Sequence, residues 1–369
     1  MKLYIVAGEA SGDLHASNLV KMLQAENKPG AGEIQCRGFG GDCMKEAGVQ
    51  IVRHYRDTAF MGFWEVMKNL SKILGFIDFC KKDIEQWKPD ALILVDYPGF
   101  NLRIAEWARK KRLRVFYYIS PQVWAWKASR VKKIKRDVDQ MLVILPFEKD
   151  FYAKHNYEVE FVGHPLLDAV MDFKNEPLAL PSSRPVVALL PGSRRQEVAS
   201  ILPSMLATAH HFPDFQFIAA GLSSVGKEFY STLMKNSPVE IVFDQTYSLL
   251  AASRAALVAS GTATLETALF KVPQVVCYRG SMASYLIAVR LIEVKYISLV
   301  NLILDRPLLR ELIQKELTVQ NFVSELNKLL FDEKVKTEMA AGYAELQEKL
   351  GKEGASRRAA RLILQKLNR

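Results

Sequence analysis

Between Ala256 and Glu266 the chain reads Ala-Leu-Val-Ala-Ser-Gly-Thr-Ala-Thr-Leu-Glu, an apolar run, a turn of small residues and the start of a helix. A strand–turn–helix unit of this kind aims the unpaired N–H groups of a helix N-terminus at whatever lies above the strand, and such groups hold anionic oxygens. Ser260, Gly261 and Thr262 form the turn, Thr262 and Thr264 add hydroxyl donors, and Glu266 stands on the first turn of the helix. A carboxylate there is a poor phosphate ligand but a good acceptor for a pair of ribose hydroxyls. The combination predicts a nucleotide-sugar site, against the plainer reading of an ordinary strand–helix turn.

Leu189-Leu190-Pro191-Gly192-Ser193-Arg194 repeats the pattern after another apolar run. The turn exposes backbone N–H groups around Ser193, and Arg194 brings a cation that can meet phosphate oxygens with two donors. Because it joins the Ser260–Glu266 turn at the same edge of the same expected sheet, it is read as phosphate-binding rather than as a tight turn with a solvated arginine. Asn301, polar within the apolar Ser298–Leu302, is either a site residue or a capping side chain.

The carboxylates suggest different chemistry. Gly8-Glu9-Ala10-Ser11-Gly12-Asp13 follows the first apolar run but lacks the G-x-G-x-x-G spacing of dinucleotide loops. Glu9 and Asp13 would repel a pyrophosphate, so a neutral sugar hydroxyl suits this turn better. Asp96 ends the run Leu92-Ile93-Leu94-Val95 and precedes Tyr97-Pro98-Gly99-Phe100-Asn101. At the carboxyl end of a buried strand its pKa is expected to rise, as a general base requires; a turn or N-cap aspartate is the alternative. Asp137-Val138-Asp139 has the form of a metal-holding pair, but it precedes an apolar run and so falls at the amino end of a strand, where a structural role is expected and no metal.

Two segments bear on what the substrate looks like. Phe60–Phe76 carries large apolar groups on more than one helical face, as a core helix would, or a surface for fatty acyl chains. Glu65, Lys68 and Lys72 exclude a membrane-spanning helix there. Ser120-Pro121-Gln122-Val123-Trp124-Ala125-Trp126 leads into the basic run Lys127–Arg136, which reads as a solvated helix face, with an anionic membrane surface or phosphorylated lipid as a natural neighbour and nucleic acid as the rival.

The elements that must position these residues follow from the apolar pattern. Leu3–Ala7, Ala91–Val95, Val115–Ile119 and Met141–Leu145 are apolar on both faces and alternate with helical segments, predicting βαβ units around a parallel sheet. The pattern changes near Gly163-His164-Pro165, passes a proline-bearing linker at Asp172–Pro185, and restarts with Val186–Leu190, Gln216–Ala220, Glu240–Phe243, Ala256–Ala259 and Gln274–Tyr278. Two domains are expected, residues 1–170 and 171–345, with 346–369 as a C-terminal helix packing on an N-terminal domain, its own or another chain's. The 369 residues, 49% hydrophobic and 24% charged, fit a folded two-domain protein, and the net charge of +10 suits an anionic partner. Cys36, Cys43, Cys80 and Cys277 form no C-x-x-C pair, and the N-terminus lacks a signal-peptide pattern, so a reducing cytoplasm is expected.

In order along the chain, Val6–Asp13, Ser120–Trp126, Leu145-Pro146-Phe147-Glu148, Leu190–Arg194 and Ser260-Gly261-Thr262-Ala263 resemble the lipid-A-disaccharide synthase family, and Asp96, Pro98, Phe100 and Asn101 match its Asp-x-Pro-x-Phe-Asn pattern. The resemblance implies a GT-B fold: two doubly wound Rossmann-like domains facing a central cleft, with a helical C-terminal tail. It implies an inverting transfer of 2,3-diacylglucosamine from UDP-2,3-diacylglucosamine to 2,3-diacylglucosamine 1-phosphate, giving a β-1,6 disaccharide and UDP, with no cofactor or metal. The site would lie at the cytoplasmic face of the inner membrane, with the phospholipid surface as a partner and no nucleic acid; a homo-oligomer is compatible. Asp96 would be the base, with Glu9 its rival. Arg194, Ser193, Ser260, Gly261, Thr262, Glu266 and Asn301 would hold the UDP-sugar. Ser11, Asn101, Gln122, Trp124, Met61 and Phe63 would receive the acceptor and its acyl chains. The alternatives are another GT-B enzyme, such as a UDP-N-acetylglucosamine 2-epimerase or a cell-wall glycosyltransferase, and more remotely an RNA-binding α/β protein.

Overall fold

A computed structural model describes residues 1–28, 30, 32–58, 70–126, 130–174, 178, 182–235, 237–280 and 295–368. Met61, Phe63 and most of the Phe60–Phe76 segment lie outside the described residues. The chain divides into two units, Met1–Pro165 with Lys352–Arg369, and Leu166–Gly351. The pattern change at residues 163–165 marks the first passage between them.

The first unit holds strands β1 (Lys2–Ala7), β2 (Gln35–Gly40), β3 (Gln50–His54), β4 (Ala91–Val95), β5 (Arg114–Tyr118), β6 (Gln140–Val143) and β7 (Glu160–Phe161). They form one parallel sheet in the order β3-β2-β1-β4-β5-β6-β7. Both faces are covered. Leu3, Ile5 and Ala7 pack into one apolar cluster with Ala91, Ile93 and Val95, while Tyr4, Val6, Leu92 and Leu94 pack into another on the opposite face. This is why the strands read as unbroken apolar runs rather than as alternating ones.

The second unit repeats the architecture with β8 (Val186–Leu190), β9 (Gln216–Gly221), β10 (Glu240–Phe243), β11 (Ser253–Ala259), β12 (Gln274–Tyr278) and β13 (Glu311–Ile313), in the order β10-β9-β8-β11-β12-β13. Strand order reverses between β1 and β4 in the first sheet and between β8 and β11 in the second. At such a reversal the flanking connections leave in opposite directions and open a crevice above the carboxyl ends of the strands, where ligands bind in open α/β sheets.

The C-terminal segment is two helices rather than one. Glu333–Leu350 ends at Gly351 within the second unit, and Ala355–Leu367 belongs to the first. Ala359, Ala360, Ile363 and Leu364 join the core cluster built on β1 and the helix Ala10–Ala25. Burying the two large side chains contributes about 1.5–3 kcal/mol each. The Glu26–Arg361 and Glu26–Arg357 pairs, at 2.7 and 3.3 Å, are exposed on the arginine side and add little. Arg358 reaches inward instead, and its Nε donates to the Val162 carbonyl at 2.8 Å.

Candidate active site

At the reversal of the first sheet, Ala7 pairs with Val95, so the segments leaving β1 and β4 start side by side. Asp96 and Tyr97 both take left-handed backbone conformations, φ +46° and +47°. Two consecutive non-glycine residues in this region cost about 1–2 kcal/mol each, and the surroundings hold them there. The Asp96 N–H donates to the Tyr118 carbonyl at 3.1 Å, and the Asp96 carbonyl accepts from the Tyr117 hydroxyl and from Asn101 Nδ2, the latter at 2.8 Å. Asn101 Nδ2 also reaches the Val6 and Val95 carbonyls, at 3.3 and 3.2 Å.

The turn leaves the Asp96 carboxylate over the strand ends. Burial, and then the charge of Glu9, push it up to about 6, against the pull of the Tyr97 N–H. Burial and Glu9 likewise push the Tyr97 hydroxyl up to about 12. Glu9, Asp96 and Tyr97 therefore share one patch. Glu9 is the N-cap residue of the helix Ala10–Ala25, yet its side chain makes no capping bond. Gly8 completes the patch: a Cβ there would overlap the Tyr97 ring, which stacks on Phe100 with centroids 5.4 Å apart. A carboxylate with a pKa near neutrality, beside a second carboxylate, can accept a proton from a hydroxyl.

Three expectations for this unit need correction. Asp13 is buried and accepts from Gly41 N, Cys43 N and Met44 N at 2.7, 3.0 and 3.1 Å, so it anchors the start of the helix Asp42–Glu46 rather than facing a ligand. Asn101 is fully buried and fixes the Asp96 turn from below, so it positions the site without touching an acceptor. The strand expected at Met141–Leu145 ends at Val143. Ser11 and Gln122 are exposed, and Trp124 is half-buried with its ring edge-on to Phe147 at 4.9 Å. Asp137 and Asp139 lie before β6 at the amino end of the sheet; Asp137 is bound by Arg136 at 2.6 Å and Asp139 accepts from Val115 N at 2.8 Å. Among the described residues no cluster of three His, Cys, Asp or Glu could hold a metal ion.

The reversal of the second sheet is built from a different set of groups. Val258 pairs with Leu190, which brings the turns after β8 and β11 together. Ser193 and Arg194 are exposed, and Arg194 is the N-cap residue of the helix Arg195–Thr208, with a 3.4 Å contact to Glu197. Arg195 lies over the Phe229 ring at 4.5 Å. Gly261 and Thr262 are exposed at the start of the helix Thr262–Leu269, where the Thr264 N–H bonds the Gly261 carbonyl at 3.1 Å and the Thr262 and Ala263 N–H groups precede the first intrahelical acceptor. Ser260 is held by its N–H to the Cys277 carbonyl at 2.8 Å and by its hydroxyl to the Ile297 carbonyl at 3.3 Å.

Here too the expectations are redrawn. Thr264 is fully buried and donates to the Gly261 carbonyl at 2.8 Å, so it shapes the turn instead of offering a hydroxyl. Glu266 accepts from the Tyr247 hydroxyl at 2.9 Å, and burial raises its pKa. Tyr247, nineteen residues upstream, carried no sequence signal. Asn301 is fully buried: its amide donates to the Leu309 carbonyl and to Glu311, both at 2.9 Å, and its oxygen accepts from Leu309 N at 2.8 Å. It is not the capping side chain, since Ser298 caps the helix Leu299–Leu304; it ties that helix to Leu309 and Glu311 instead.

Comparison with known proteins bears on this arrangement. The lipid-A-disaccharide synthetase family matches residues 3–366. A lipid-A-disaccharide synthase of Trichlorobacter lovleyi is 39% identical over 98% of this chain and 97% of its own length. Among solved structures, the glycotransferase of kitacinnamycin superposes with a TM-score of 0.68 over 99% of both chains at 14% identity. S. aureus MnaA, solved with UDP, superposes with a TM-score of 0.69 over 100% of this chain and 97% of its own at 12% identity. At such identities these two structures speak to the fold alone, which is GT-B. The full-length family match and the relative at 39% identity go further: the chain belongs to the lipid-A-disaccharide synthetase family and is a glycosyltransferase.

Proposed function

We propose that the chain transfers 2,3-diacylglucosamine from UDP-2,3-diacylglucosamine to the 6-hydroxyl of 2,3-diacylglucosamine 1-phosphate, releasing UDP and inverting the anomeric centre. The observation that carries the chemistry is the Asp96 carboxylate, pushed up to about 6 at the reversal of the first sheet. It takes the proton of the acceptor hydroxyl as that oxygen attacks the anomeric carbon, and the bond to the UDP oxygen breaks with its electron pair. Glu9 keeps the Asp96 pKa up through its charge and is the rival base.

In this reading the departing diphosphate is met by Arg194 and by the N–H groups around Ser193 and at Ser260–Thr262, a fixed positive field that takes the part a divalent metal plays elsewhere. Glu266 holds the ribose diol with its remaining lone pairs. Trp124, Gln122 and Ser11 border the acceptor, and Met61 and Phe63 belong with the acyl chains. The excess of basic residues suits the acceptor phosphate and an anionic phospholipid surface at the cytoplasmic face of the inner membrane. Among the described residues no helix is long and apolar enough to cross a membrane, which accords with attachment from one side.

The test is to mix the protein with both acyl sugars in detergent and EDTA and to follow UDP and disaccharide. Disaccharide without added metal is expected. UDP binding with no product on these acyl sugars would move the reading to another UDP-sugar enzyme.

A further inference from the structure

Glu266 is a carboxylate to which the fold gives a single partner. The Tyr247 hydroxyl donates to its Oε1 at 2.9 Å, and among the described residues its side chain has no other hydrogen bond and no ion pair. Burial raises its pKa, and the bond from Tyr247 works against that rise. An ionised carboxylate has places for about four donors. One that is partly buried and short of donors costs free energy until a ligand supplies the rest.

Tyr247 is itself fixed by its surroundings. It is the second residue of the helix Thr246–Ala252, which leads directly into β11. Its ring meets Phe270 at 5.1 Å and Phe173 at 5.6 Å, and those two rings meet each other at 5.7 Å. Phe270 follows Glu266 by one helical turn, and its N–H donates to the Glu266 carbonyl at 3.0 Å. Residues so spaced share one face of a helix, so Tyr247 lays its ring against one of them and its hydroxyl against the other. The rings decide where the phenol oxygen stands, and the phenol decides how the carboxylate is turned. A neutral hydroxyl does this without cancelling the charge, as a lysine or arginine would, so Glu266 stays a strong acceptor.

We propose that Tyr247 is a positioning residue for the ribose: by tying Glu266 Oε1 it sets the carboxylate so that its remaining lone pairs meet both hydroxyls of the diol, and it thereby sets the preference for ribose over deoxyribose. The proposal rests on the reading of Glu266 as the residue that holds the ribose.

The experiment compares the affinities for UDP and 2′-deoxy-UDP by calorimetry. Wild type should prefer UDP by about tenfold or more, since a group built to accept from a hydroxyl rejects the analogue that lacks it. Glu266→Gln sets the floor, with that preference largely lost. Tyr247→Phe keeps the ring that packs on Phe173 and Phe270 and removes only the hydroxyl. It should weaken UDP binding by about tenfold, leave 2′-deoxy-UDP binding within about threefold, and so bring the two affinities close together. Acceptor KM should stay within about twofold of wild type. In a Glu266→Gln background Tyr247→Phe should change neither affinity further. A preference that survives Tyr247→Phe, both affinities falling together, or a Phe variant that does not fold would overturn the proposal, because the hydroxyl would then serve the fold rather than the ribose. Wild-type protein that binds the two nucleotides equally would overturn the reading of Glu266 and this proposal with it.

Discussion

The ends of β1 and β4 and the ends of β8 and β11 are the same backbone construction filled with opposite chemistry. In each, two parallel strands pair at a reversal of strand order and a short turn leads into a helix. Above the first pair stand Glu9 and Asp96; above the second stand Arg194 and the Ser260–Thr262 turn. The first set is made to take up a proton, since two carboxylates and partial burial disfavour further negative charge. The second is made to receive negative charge, since an arginine and two helix N-termini favour it. The proposed transfer needs both: a hydroxyl loses a proton while a diphosphate gains an electron pair. The difference teaches that topology supplies the places and that a few side chains decide which half of the chemistry each place performs.

The comparison breaks most visibly at Asp96. Asp96→Asn keeps the shape and removes the base, and turnover should fall by about 10²–10⁴-fold, the usual contribution of general-base catalysis. Arg194→Ala acts on the opposite side: kcat/KM should fall by about 10²-fold and UDP binding should weaken in parallel, because a charge-assisted contact to the diphosphate is lost. Gly8→Ala is the steric probe. The new Cβ overlaps the Tyr97 ring and should disturb the Asp96 turn, lowering kcat by about tenfold; Tyr97→Ala in the same chain should restore much of it, and failure to do so would remove the Gly8–Tyr97 contact from the account. The mildest test is Glu9→Gln. Asp96 works only when ionised, so activity should fall as pH drops through about 6, and removing the Glu9 charge should move that fall to lower pH. A pH profile of kcat/KM that stays in place would mean that Glu9 does not act through Asp96.

The strands and the site turns were legible in the sequence to different depths. β1, β4, β8 and β11 were legible because burial on both faces writes itself as an unbroken apolar run. β2, Gln-Cys-Arg-Gly-Phe-Gly, was not, because glycine and arginine interrupt it. Glycine is needed at residue 38, where a Cβ would overlap the Ile5 carbonyl, and Arg37 is matched by Asp83 at 2.6 Å. Such pairings join residues far apart in sequence and leave no local period. The site divides in the same way. Asp96, Arg194 and the Ser260–Thr262 turn follow strands directly and announce their positions. Asn101, Asn301, Asp13 and Thr264 have the residue types of ligand-binding groups, but each is buried and bonded inside its own unit, and only the folded packing tells the two uses apart. Tyr247 is the converse, a side chain whose bond to Glu266 comes wholly from the packing.

UDP affinity of the Asp96→Asn protein, measured by calorimetry alongside turnover of the same sample, tests the division of labour most directly. The account predicts UDP binding within about twofold of wild type while turnover is lost, because the base and the diphosphate-holding groups are separate sets. Turnover near the wild-type rate, or UDP binding lost in step with it, would contradict the assignment of proton removal to Asp96 and of the diphosphate to Arg194 and its neighbours.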